Sequence, residues 1–169
     1  MGKPRRELGI YRGIYSSLVD SENFQRLTPR ARLVLLTMRL MREIGLPCIW
    51  RYYLEPISHR TGLPPAEVEG ALQELESATT FQGVQDPWIR REGVLLWIVN
   101  GLRHDPSVKV EWENHRKAIL RWLSDLPRQQ LVLDFCAYYG LPVPFDGPPK
   151  SAGTPSVIPL SILSGVEST

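Results

Sequence analysis

Between Thr28 and Val99 the spacing of apolar residues changes period in a fixed order, and few folds accommodate that order. Residues 29–44 repeat at helical spacing, and Gly45 closes the segment. Residues 48–54 are rich in β-branched and aromatic side chains. A short helical segment follows at 57–60, then a Thr61-Gly62-Leu63 turn, then a second helical segment from Pro64 to about Ser77. A hairpin ends in Val94-Leu95-Leu96-Trp97-Ile98-Val99. Helix, strand, helix, tight turn, helix and hairpin in succession is the order of a winged helix-turn-helix, an arrangement most often used to hold a nucleic-acid duplex.

Local chemistry supports each element. Thr28 is a helix cap, and Pro29 sits at the first helical position, where its missing N–H costs nothing. Leu33, Leu36, Leu40 and Ile44, widened by Leu35 and Met41, form the expected buried stripe. Arg30, Arg32, Arg39 and Arg42 lie between them on the expected polar face. Ile49, Trp50, Tyr52 and Tyr53 favour a strand that ties the hairpin to the helices. Val68, Ala71, Leu72 and Leu75 form the buried face of the second helix of the pair. Trp88-Ile89-Arg90 is expected to pair with residues 94–99 around Arg91-Glu92-Gly93, which places Arg90 and Arg91 at a wing tip. Asp105-Pro106 repeats the cap-plus-proline signal, with Val108, Trp112, Ile119 and Leu123 on one face. Pro127 opens a last helix that Gly140 closes.

The expected fold is therefore mainly α with a small antiparallel sheet. A basic arm (1–14) precedes the winged unit (15–104), a helical hairpin packed on it (105–140), and a Pro/Ser/Gly-rich tail (141–169). That tail contains an apolar segment with Val157, Ile158, Leu160, Ile162 and Leu163, suited to docking on a partner.

Charge complicates a nucleic-acid role. The net charge is only +2, yet residues 1–46 carry nine basic and four acidic side chains, and residues 63–86 carry five acidic and no basic ones. Uneven distribution says more than the total. Lys3, Arg5, Arg6 and Arg12 on the arm, with Arg30, Arg32, Arg60, Arg90 and Arg91, are the expected phosphate contacts. Ser58, His59 and Gln73 are the candidates for reading bases. The outer face of the second helix carries Glu67 and Glu74, which oppose insertion into a groove and suit a basic partner surface instead.

No phosphate loop, nucleophile elbow, dinucleotide fingerprint or metal-ligand spacing occurs, so no enzyme, cofactor or metal is expected. Cys48 and Cys136 lie far apart among apolar neighbours and are expected as buried free thiols. No apolar run approaches the ~20 residues that span a bilayer. A cytoplasmic location without membrane contact is the expectation.

The run Phe24-x-x-Leu-Thr-Pro-x-Ala-Arg-Leu-Val-Leu-Leu, then Ile57-Ser-His-Arg-Thr-Gly-Leu, Val68-x-x-Ala-Leu-x-x-Leu and Leu96-Trp-Ile-Val-Asn, resembles the N-terminal winged-helix domain of phage and plasmid replication-initiation proteins, the replisome organisers. Asn100-Gly-Leu-Arg-His and the Trp112-x-x-His115 segment resemble its continuation. The likeness covers about residues 15–125. It implies DNA binding, duplex or single-stranded, near an origin, and contacts with other replication proteins. Two further functions fit the same order of elements. One is an adaptor that binds protein through the acidic helix and the apolar tail. The other is a dimeric transcription regulator.

Overall fold

A computed structural model describes residues 16–41, 45–77, 87–105 and 107–145. The basic arm, with Lys3, Arg5, Arg6 and Arg12, lies outside the described residues, and so does the tail segment with Val157, Ile158, Leu160, Ile162 and Leu163.

Two short helices, α1 (Ser16–Val19) and α2 (Glu22–Arg26), lead into α3 (Pro29–Leu40). Ser21 caps α2 by accepting from the Phe24 N–H, and Thr28 caps α3 by accepting from the Ala31 N–H. The strand β1 (Ile49–Arg51) is followed by α4 (Leu54–Thr61) and α5 (Pro65–Ser77). Gly62 joins α4 to α5 with φ +71°, a left-handed backbone that only glycine adopts without strain. The hairpin β2 (Ile89–Glu92) and β3 (Leu95–Ile98) follows, then α6 (Glu113–Ser124) and α7 (Gln130–Tyr139). The chain is thus mainly helical, with one antiparallel sheet in the order β1-β3-β2.

The sheet separates two apolar cores. Pleating sends alternate side chains of a strand to opposite faces. Leu96 and Ile98 of β3 join Ile89, Trp50 and the inner faces of α2 to α5. Leu95 and Trp97 join Ile49, Val99 and residues of α6 and α7, including Ile119, Leu123 and Phe135. Every residue of β3 is buried because helices cover both of its sides.

Several elements differ from expectation. The buried stripe of α3 is Ala31, Val34, Leu35 and Met38, whereas Leu33 and Leu40 are exposed. Leu35 and Met41 are buried as expected and Leu36 is half-buried, whereas Arg42 and Ile44 lie outside the described residues. Arg39 is buried, not on a solvated face. Asp105 starts no helix: its carboxylate accepts from the Ser107 N–H and hydroxyl, closing a local turn. α6 begins eight residues later, at Glu113, and Trp112 just before it is exposed. α7 begins at Gln130, where the Glu92 carboxylate of β2 accepts from the Leu131 N–H at 2.5 Å, an acceptor well placed at a helix N-terminus. Cys48 and Cys136 are buried free thiols as expected, and burial pushes the Cys136 thiol up to about 11.

Candidate nucleic-acid interface

The glutamates of α5 are structural ties. Thr28 donates its N–H and its hydroxyl to the two oxygens of Glu74, each at 2.7 Å, so a carboxylate from α5 completes the cap of α3. Glu67 pairs with Arg30 at 3.0 Å. Glu69 and Glu76 both grip Arg91, at 2.9 and 2.5 Å. A second bond joins Arg91 Nη1 to Glu69 at 3.0 Å, so that this pair is bidentate, the strong geometry for guanidinium and carboxylate. The Tyr52 hydroxyl adds a further contact to Arg91 at 3.3 Å.

Arg90 and Arg91 therefore do not form a wing tip. Both lie within β2, and the turn is Gly93-Val94, closed by the Glu92–Leu95 pair. Gly93 supplies φ +54° there. Adjacent strand residues face opposite ways, so the two arginines serve opposite sides of the sheet. Arg91 faces α5. Arg90 lies over the Trp97 ring at 5.7 Å and pairs with Asp134 of α7 at 3.7 Å.

The remaining expected contacts divide as follows. Arg32 donates to the Leu27 carbonyl at 2.9 Å and to the Gln25 carbonyl, and lies over the Phe24 ring. Ser58 donates its hydroxyl to the Leu63 carbonyl and so holds the α4–α5 turn; it does not present that hydroxyl to solvent. His59, Arg60 and Gln73 are exposed. Arg30 keeps 63% of its side chain exposed despite its partner. The five arginines Arg30, Arg32, Arg60, Arg90 and Arg91 thus do not converge on one face.

Between the two rows of glutamates, the outward stripe of α5 carries no charge. Ala66, Gly70, Gln73 and Ser77 follow one another at four-, three- and four-residue steps and are all exposed. A Cβ on Gly70 would meet nothing within 4 Å. Gln73 donates weakly to Glu69 at 3.4 Å. This stripe could not be read from the glutamate count. Its own residues are uncharged, and three of the glutamates beside it are paired with Arg30 and Arg91, which are distant in sequence.

The Arg91 clamp has a pH signature. Its hydrogen bond to Glu69 holds that carboxyl below its ordinary value, and the hydrogen bond to Glu76 is the largest cause that raises the Arg91 guanidinium. A carboxylate with a depressed folded-state pKa adds stability above its unfolded value of about 4, and that stability is lost as pH falls through the folded value. Arg91→Met should cost about 2 kcal/mol at neutral pH, after discounting for the partly exposed glutamates. In urea melts across a pH series, the gap between the two proteins should narrow below pH ~4. A gap independent of pH would show that packing alone is lost.

No family model matches the chain, and neither a curated protein nor a solved structure does.

Proposed function

We propose that the chain is a winged-helix accessory protein of the replication-initiation type, which lays the neutral stripe of α5 against duplex DNA. The order helix, strand, helix, glycine turn, helix, hairpin, with the sheet order β1-β3-β2, supports the winged-helix reading. The observation that carries the DNA reading is the pairing of α5's carboxylates. Three of the four carboxylates, Glu67, Glu69 and Glu76, are ion-paired with Arg30 and Arg91, which lowers but does not cancel the negative charge beside the small, uncharged stripe and so favours its approach to a groove. Arg30 stays largely exposed beside Glu67, so it can face a phosphate while still paired. Arg60 and the arm residues Lys3, Arg5, Arg6 and Arg12 supply the further positive charge.

Fluorescence anisotropy with a labelled duplex tests this. With two or three phosphate contacts from the folded unit, log affinity should fall against log salt with a slope of about −2 to −3, made steeper by any contribution from the arm. Gly70→Glu sets an unpaired carboxylate on the stripe where space is open, and should weaken binding about tenfold without lowering the melting temperature by more than a few degrees.

A second reading, an adaptor that docks on protein, is favoured by a different observation. Leu33 and Leu40 on α3 are 42% and 57% exposed, one turn to either side of the half-buried Leu36. Clustered exposed leucines mark contact surfaces. The anisotropy titration separates the two: absence of salt-dependent binding to any duplex or single strand would overturn the DNA reading and leave the adaptor.

A further inference from the structure

A guanidinium largely removed from water without a carboxylate partner is costly, and Arg39 is close to that position. It is only 8% exposed. Its hydrogen bond is a single contact from Nη2 to the His104 carbonyl at 3.2 Å, and no carboxylate among the described residues pairs with it. A guanidinium has five N–H donors, and those of Arg39 that make no bond within the protein are not fully shielded, so they stay open to a molecule in the adjoining space.

Arg39 lines a cavity of about 230 Å³ walled by Leu18, Leu35, Trp88 and Ile98. A second unsatisfied group lines the same space: Asn23 Oδ1 is shielded from solvent and has no donor. Two other polar groups there are already engaged. The Ser21 hydroxyl donates to the Leu18 carbonyl and accepts from Phe24, and Asn100 Oδ1 accepts from the Tyr138 hydroxyl. His104 also lines the space, and partial burial and then the charges of Arg39 and Arg103 lower its pKa, so it adds no competing cation at neutral pH. An apolar chamber with one unspent cation and one unspent acceptor has the makings of a small-molecule site. Its volume lies below the ~300–1,000 Å³ of sites for drug-sized ligands, which limits the occupant to a small molecule.

We propose that this cavity binds a small branched aliphatic carboxylate bearing a hydrogen-bond donor, a hydroxy or amino acid, with Arg39 taking the carboxylate and Asn23 Oδ1 the donor. The aliphatic body packs against Leu18, Leu35, Ile98 and the Trp88 ring. The site does not depend on the DNA reading, since it lies on the α1–α3 side of the molecule and uses no residue of α5.

Thermal melts of the full chain with leucate, leucine, isocaproate and leucinamide test it. Leucate or leucine should raise the melting temperature; which of them does so decides between hydroxyl and ammonium at Asn23. Isocaproate, which lacks the donor, should bind about tenfold more weakly. Leucinamide, which lacks the carboxylate, should have no effect. Arg39→Met should raise the melting temperature of the unliganded protein, because it removes an unpaired buried charge, and should abolish the response to leucate. A purely structural Arg39 gives the opposite sign, so a lower melting temperature for Arg39→Met overturns the proposal. So does a response to none of the three acids. Asn23→Ala provides a second check: it should erase the difference between leucate and isocaproate, and a difference that persists counts against the assignment.

Discussion

Trp97→Ala is expected to remove about 3–5 kcal/mol of stability, the cost of a large cavity in a packed core. For a chain of this length that lowers the melting temperature by about 10 °C. Trp97 is 1% exposed. Its ring meets Phe135 and Tyr138 edge-on, each at 5.4 Å, and Tyr139 at 6.2 Å. This cluster is the main apolar link between β3 and α7. Trp97→Phe should behave quite differently. The indole Nε1 has no hydrogen-bond partner, so phenylalanine removes an unsatisfied buried donor while retaining an aromatic ring against Phe135. Its cost should stay below about 1.5 kcal/mol. Equal losses in the two variants, measured by urea denaturation, would refute the ring-packing account.

Gly45→Ala should cost about 2–5 kcal/mol from two sources. Gly45 has φ +65°, and a left-handed alanine costs about 1–2 kcal/mol. Its new Cβ would also stand 2.4 Å from the Trp122 ring. The indole cannot simply withdraw, because its N–H donates to the Ile49 carbonyl at 2.8 Å and so is tied to β1. Crowding of this kind adds about 1–3 kcal/mol. A double-mutant cycle with Trp122→Leu separates the sources: in that background only the backbone cost should remain. Full additivity would show that the steric account is wrong.

The sequence reveals the elements well where the signal is local. Thr28-Pro29, Gly62 and Gly140 mark a start, a turn and a stop through backbone chemistry that neighbours cannot override. The buried face of α5, Val68, Ala71, Leu72 and Leu75, is legible because a single periodicity is present. α3 misleads in part: Leu35 and Met41 are buried as the spacing implies, but Leu33 and Leu40 are exposed and Ala31, Val34 and Met38 take the core side. Asp105-Pro106 misleads because an Asp side chain closes a local turn as readily as it caps a helix.

The candidate interface is less legible for a different reason. Whether Glu69 repels phosphate depends on Arg91, which is 22 positions away and brought to it by strand alternation. A count of charges along the chain treats the two as independent. Arg39 escapes notice because arginine on a helix is ordinarily solvated, and only tertiary packing, with Leu18 and Asn23 on one side and Trp88 and His104 on the other, buries it. The unmet need of that side chain cannot be seen in one dimension.

The placement of β3 has a consequence for dissecting the protein. Ile49, Leu95, Trp97, Val99 and Leu102 are covered from the C-terminal side. A fragment ended near residue 104 would bare this whole surface to water, an oily panel on what resembles a self-sufficient module. Excised in that way, the N-terminal unit should stick to itself and to other proteins, and such adhesion would reflect the cut and not the biology.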